Sequence, residues 1–262
     1  MLRIFETEKK LDKDNFFVFL PKNCRAMPVK IELNINLEDL HQISEQKEAI
    51  LKNTLSFIAN KPSNNILLWG AKGMGKSTLV KCIIKHVNNN LKKKLKLVEV
   101  LNNNLENLAD IAYELSQLKH KFIVFIDDIS FENNNHNFRS FKSLIEGSLL
   151  SNIKNVRYYI TSNLRHLSHD NLTNSNANEI QVKEASQNLI SLSDRFGCWI
   201  GFYDCNQDDY LKITKHYLNK AKINLSADIE KLALQWSIEK GNFSGRTAFQ
   251  FVNNIISKNL KN

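Results

Sequence analysis

The stretch Leu67–His86, LLWGAKGMGKSTLVKCIIKH, sets three glycines, two lysines and two adjacent hydroxyls between an apolar run and an amphipathic one. Gly70 is followed by four residues and then by Gly75, Lys76 and Ser77, which is the Walker A spacing. A triphosphate needs many hydrogen-bond donors at once, and bare backbone N–H groups at a helix N-terminus supply them. Side chains would block that approach, and glycine adopts the required dihedrals at little cost. Gly70, Ala71, Lys72, Gly73, Met74 and Gly75 are therefore expected to form the cup. Lys76 would bridge the β- and γ-phosphates, Ser77 would hold Mg²⁺, and Thr78 would lie near the α-phosphate.

Such a cup needs an acidic partner for the metal, and FIVFIDDIS supplies one at the end of an apolar run. Asp127 would face Mg²⁺ as the second metal-binding residue beside Ser77, and Asp128 would polarise an attacking water. A glutamate is common at that second position. Aspartate is one methylene shorter, so Glu132, four residues on, is the rival base. The run VRYYITSN ends in Asn163, whose amide could orient a water against the γ-phosphate.

These residues need elements to hold them. ILLW, LKLVEV, FIVFI, VRYYIT and CWIGFY read as five strands. Short, continuously apolar strands alternating with helical patterns predict a parallel sheet covered on both faces. Val80, Ile83, Ile84 and Val87 follow helical spacing, and Glu48–Ala59 and Phe138–Leu150 are also expected helices. Leu167–Asn188 is polar and unpatterned, and reads as a long loop. After Tyr203 three helical patterns follow one another. The second has Ser226 as N-cap, Gly241 past its end, and Ile229, Leu232, Ala233 and Trp236 as its expected apolar face. The third carries Ala248, Phe251, Val252 and Ile255 on one side. The expected division is an N-terminal arm over 1–40, a nucleotide-binding α/β core over 41–205 and a helical lid over 206–262.

The chain has 262 residues, of which 42% are hydrophobic, enough for a substantial core. Its formal net charge of +9 permits polyanionic partners, although heavy use of Asn, Lys and Ile throughout the chain explains much of it. The basic run LKKKLK (Leu91–Lys96) reads first as a solvated helix end and second as a partner contact. Cys24, Cys82, Cys198 and Cys205 form no CxxC pair and are expected as reduced thiols, which fits a cytoplasmic protein. No apolar run approaches the roughly 20 residues that cross a bilayer as a helix, so no membrane association is expected.

Two arginines complete a pattern. SLSDRFG places Arg195 just before the last expected strand, and FSGRTAFQFV places Arg246 at the head of the last helix. With Lys76, Asp127 and Asn163, these resemble the AAA+ ATPases. The resemblance implies a P-loop α/β core with a small helical lid. It also implies sensor-one, arginine-finger and sensor-two roles for Asn163, Arg195 and Arg246, and an adenine-side segment in LHQISEQKEAILKNTLSFIA. The likeness is closer still to one bacterial family of single-domain ATP-binding AAA+ proteins of unknown function. NNILLWGAKGMGKSTLVK, FIDDISFE, TSNLRHL, ISLSDRFG with GFY, and SGRTAFQFV resemble that family's signatures in order. More loosely the chain resembles bacterial replication initiators and helicase loaders. It departs from the initiators in showing no helix-turn-helix domain after Arg246, so sequence-specific DNA binding is not expected.

The resemblance implies an ATPase with ATP and Mg²⁺ as cofactors, self-association through an arginine finger reaching a neighbour's nucleotide, and a protein or nucleic-acid client. Its catalytic set would be Lys76, Asp127, Asp128, Asn163, Arg195 and Arg246. The alternatives are a nucleotide-gated binding module that hydrolyses only to reset, a helicase-loader-like DNA-associated protein, and a P-loop kinase. The kinase leaves both arginines and the lid without a combined role.

Overall fold

Strands β1 (Phe16–Leu20), β2 (Arg25–Pro28), β3 (Ile66–Gly70), β4 (Leu95–Glu99), β5 (Lys121–Ile126), β6 (Val156–Thr161) and β7 (Cys198–Phe202) form one sheet in the order β2-β1-β4-β5-β6-β3-β7. The computed structural model describes residues 4–5, 8–91, 94–129, 145, 150, 153–163 and 196–259. All neighbouring pairs are parallel except β1 with β2, which are antiparallel. The five expected strands are present, and two more, within the expected N-terminal arm, extend the sheet. Phe17 and Phe19 of β1 are buried, and β1 runs beside β4 with Phe17 opposite Val98. The segment FFVFLP, within the expected N-terminal arm, thus forms an added strand, stopped by Pro21.

Both faces of the sheet are covered, which explains why its strands lack polar alternation. On β5, Ile123 and Phe125 enter one core while Phe122, Val124 and Ile126 enter the other. The first core also holds helices α2 (Ser44–Ile58) and α3 (Lys76–Asn89), through Ile50 and Phe57 and through Leu79, Val80, Ile83, Ile84 and Val87. The second holds Leu11 of α1 (Glu8–Lys13) and Leu108, Ile111, Ala112 and Leu115 of α4 (Leu108–Ser116). Each of these side chains larger than alanine, removed from water, stabilises the fold by about 1.5–3 kcal/mol before entropy is counted.

Helices α5 (Gln207–Lys220), α6 (Ala227–Lys240) and α7 (Gly245–Asn259) follow the last strand and pack into the first core. Ser226 caps α6 by accepting from the Ile229 amide, and Gly241 ends it at φ +69°. Of the expected apolar face of α6, Ala233 is buried and Ile229 and Trp236 pack against the first core, whereas Leu232 is 48% exposed and Ser237 is buried in its place. α7 meets α5 and α6 through Ala248, Phe251 and Val252, as its spacing predicts.

The basic run is also corrected. Lys96 is buried in β4, and its Nζ donates to the Asp14 carbonyl at 2.6 Å and to Asn15 Oδ1 at 3.3 Å. It ties the N-terminal segment to the sheet instead of meeting a partner. Lys92 and Lys93, the expected helix 138–150 (apart from residues 145 and 150) and the expected loop 167–188 lie outside the described residues.

Candidate functional site

β3 lies between β6 and β7, while the chain leaving it crosses by α3 to β4, two strands beyond β6. Parallel sheets bind ligands at such a reversal, outside the carboxyl ends of the strands. A cavity of about 350 Å³ opens there, between the strand ends and the C-terminal helices. Residues 72–78, Asp127, Asp128, Thr161, Asn163 and Arg246 line its polar end, and Ile35, Leu40, Ile43, Ile213, Tyr217 and Phe249 its apolar end.

The glycine loop is built by close approach. Gly70 has φ +116°, and a Cβ there would lie 2.1 Å from the Phe202 carbonyl oxygen on β7. Gly75 caps α3 at φ +88°, so the first amides of that helix face the cavity. Gly73, at φ +85°, meets the C-terminal bundle: a Cβ would sit 2.7 Å from Ser244 Oγ, and the Gly73 carbonyl accepts from the Arg246 amide at 3.1 Å. Loop and bundle therefore touch backbone to backbone, and Arg246 opens α7 against the cavity.

Lys76 is buried, with its ammonium donating to the Gly70 and Ala71 carbonyls at 2.8 Å each and to Asn163 Oδ1 at 2.9 Å. The Asn163 amide donates in turn to Asp128 Oδ1 at 2.5 Å. Asn163 thus joins the cation of the loop to the second acid of the strand end. Ser77 Oγ and Thr161 Oγ1 both donate to Asp127 Oδ1, at 2.5 and 2.6 Å. Asp128 sits at φ +57°, a left-handed conformation that aspartate tolerates better than most residues. Its amide donates to Thr161 Oγ1 at 2.8 Å, and Asn102 Nδ2 donates to the carbonyls of Asp127 and Asp128 at 3.0 and 2.7 Å.

The residues present fit a magnesium nucleotide. The cup is one that side chains would fill, a lysine closes it, and a serine hydroxyl meets a carboxylate beside it. Magnesium keeps much of its shell from water and phosphate, so Ser77 and Asp127 are a sufficient protein contribution.

The apolar end has its own polar edge. Asp39, largely buried, accepts from His216 Nε2 at 3.0 Å, from Lys220 Nζ at 2.5 Å and from the Asn36 amide at 2.7 Å. Burial raises its carboxyl pKa, but these donors outweigh burial and hold it below the usual value. His41 lines the cavity and meets the His216 ring at 4.1 Å between centroids. Desolvation, then repulsion from His216 and Lys47, pushes the His41 pKa down, while Asp39 opposes.

Of the residues expected from sequence, the structure gathers Gly70 through Thr78, Asp127, Asp128, Asn163 and Arg246 around this cavity or its loop. Arg195 and Glu132 lie outside the described residues. Thr161, Asn102, Asp39, His41 and His216 were not expected. Thr161 ends β6 two positions before Asn163, but threonine is common in strands and nothing local marks it. Asn102 lies 25 positions before Asp127, and nothing local announces it.

This sheet order, glycine loop and C-terminal helical bundle define an AAA+ P-loop fold. Residues 13–259 match the family described as "Protein of unknown function (DUF815)", and the chain belongs to that family. It is 28% identical over 182 residues to the Holliday junction branch migration complex subunit RuvB of Mycoplasmopsis synoviae, a match covering 64% of this chain and 49% of that one. Among solved structures it resembles the RuvB Holliday junction branch migration motor of Thermotoga maritima, with a TM-score of 0.52, 18% identity, and coverage of 84% of this chain and 63% of that one. It also resembles the Aeropyrum pernix ORC1 protein in complex with DNA, with a TM-score of 0.55, 14% identity, and coverage of 87% and 66%. The replication initiator DnaA bound to AMPPCP and single-stranded DNA gives a TM-score of 0.56, 13% identity and the same coverage. The chain spans about half the length of the curated relative and under two thirds of the RuvB motor, and the structural likenesses speak to fold alone.

Proposed function

We propose that this protein binds Mg-ATP in the cavity and hydrolyses it to remodel or load a macromolecular partner. The observation that carries the reading is the single hydrogen-bonded line Lys76–Asn163–Asp128 beside the Ser77–Asp127 pair, all facing one cavity. In this reading Lys76 and the loop amides grip the phosphates, and Ser77 and Asp127 would hold Mg²⁺, which would supply charge neutralisation at the phosphates when bound. Asp128 takes the proton of the attacking water, and Asn163 keeps that carboxylate aimed. Arg246 lies at the contact of loop and bundle, so it would report the γ-phosphate to residues 206–262 acting as a lid on the core 41–205, with 1–40 as the N-terminal extension. Arg195 would reach a neighbouring subunit's nucleotide. A cytoplasmic location fits, and among the described residues no helix is long and apolar enough to cross a membrane.

Calorimetry and a phosphate-release assay test this on three proteins. The unsubstituted chain binds Mg-ATP and turns it over. Lys76→Ala loses a charge-assisted contact worth about 1.5–3 kcal/mol, so its affinity falls roughly 10- to 100-fold. Asp128→Asn keeps the affinity but loses about 10²–10⁴ in turnover, the usual share of a general base. Equal turnover in Asp128→Asn removes Asp128 from the reaction. ATP-loaded Asp128→Asn should also retain its client in affinity capture; material no different from that held by Lys76→Ala would end the remodelling reading.

A second reading is a nucleotide-gated binding module. The short Asp128 side chain, already engaged by Asn163, favours slow hydrolysis. In that case ATP promotes partner binding while the partner leaves the hydrolysis rate unchanged.

A further inference from the structure

Asp127 and Asp128 are adjacent, yet one must meet a cation and the other a water. One buried hydroxyl separates their tasks. Thr161, the last residue of β6, is 1% exposed. Its Oγ1 accepts from the Asp128 amide at 2.8 Å and lies 2.6 Å from Asp127 Oδ1. An amide is only a donor and an ionised carboxylate only an acceptor, so the direction of the chain is fixed: Asp128 N–H to Thr161 Oγ1–H to Asp127 Oδ1. The Thr161 carbonyl accepts from the Ile129 amide at 2.9 Å, which holds the same residue from its backbone side. Ser77 reaches the same Asp127 oxygen from the glycine loop.

We propose that Thr161 is a positioning residue for the metal: its hydroxyl fixes the Asp127 carboxylate for Mg²⁺ and, through the Asp128 amide, holds the left-handed turn that aims Asp128. The proposal rests on the reading of this cavity as a Mg-nucleotide site. Outer partners of metal-ligating carboxylates typically matter 10- to 100-fold in metal affinity or activity. A buried hydroxyl already held by an amide positions its acceptor better than a mobile one, because it has already lost its rotational freedom. Removing it takes that partner from the Asp128 amide and leaves Asp127 held on Oδ1 by Ser77, whose hydroxyl a bound cation would also claim.

The test uses the full chain and its Thr161→Val, Thr161→Ala and Thr161→Ser variants. ATP affinity is measured first in excess EDTA and then across a MgCl₂ titration, with turnover recorded in parallel. In EDTA all four proteins bind ATP within about twofold of each other, because the loop donors are untouched. The Mg²⁺ concentration for half-maximal tightening rises roughly 10- to 100-fold in Thr161→Val and Thr161→Ala, and kcat falls by a similar factor. Thr161→Ser, which keeps the hydroxyl, restores the metal midpoint to near that of the unsubstituted chain. An unmoved metal midpoint in both Val and Ala overturns the proposal, as does a Ser variant as impaired as Val, which would show that the methyl and not the hydroxyl matters. If Val does not unfold cooperatively in a thermal melt, the Ala–Ser comparison decides. A failure of the unsubstituted chain to bind ATP at all is a different result, and it removes the nucleotide reading together with this one.

Discussion

Gly70 shows how a single position ties the glycine loop to the sheet. Its φ of +116° and the carbonyl of Phe202, 2.1 Å from where a Cβ would stand, leave room for nothing larger. Gly70→Ala combines a strained dihedral with overlap against backbone, each costing about 1–3 kcal/mol, so a loss of about 2–6 kcal/mol is expected in urea unfolding. A loss under half a kilocalorie would mean that the loop relaxes freely away from β7. The glycines were legible in the sequence because their spacing encodes a local backbone task. Lys76, Ser77, Asp127 and Asn163 were legible for the same reason, each lying at the end of a strand or the start of a helix. Asn102 and Thr161 were not. Their roles depend on which strand ends lie side by side, and neither residue type is distinctive alone.

At the level of elements, the cavity depends on how α5 sits against the segment between β2 and α2. Asp39, His41 and Lys47 come from that segment and the start of α2, and His216 and Lys220 from α5. His41 has its pKa pushed below the ordinary 6.5 by desolvation and by His216 and Lys47. The folded protein therefore resists a proton that the unfolded chain accepts, so stability falls as pH drops below about 6.5. Asp39, held below its ordinary 3.8, stays ionised through that window and adds its own loss only below 3.8. Thermal unfolding at pH 7.5 and 5.5 should show a lower midpoint at 5.5, with a smaller difference in His41→Ala. An unchanged difference would separate His41 from the effect. The sequence marked α5 as helical but could not show that its polar residues meet Asp39, because 177 positions separate Asp39 from His216.

For the whole molecule, the gap between loop and bundle governs what the site can do. The Gly73 carbonyl and Arg246 amide join them directly, so in the proposed reading a change in phosphate state at the loop would be felt at α7. An arginine supplied by a neighbour is worth roughly 10³–10⁵ in rate, so an isolated subunit should be slow. Turnover per subunit is expected to rise with protein concentration, and Arg195→Ala should flatten that rise; a concentration-independent rate equal in both proteins would refute an arginine acting between subunits. The sequence by itself determined the alternation of apolar strands with helices, the glycine loop between strand and helix and the acids at a strand end, because these are short-range patterns of burial and backbone chemistry. The tertiary structure alone decided that the N-terminal phenylalanines extend the sheet and that Lys96 is an internal tie. It alone decided that a threonine and an asparagine hold the acidic pair, and that a histidine pair edges the cavity. Those outcomes depend on strand order and on contacts between residues far apart in the chain, which the spacing of residues along the chain does not encode.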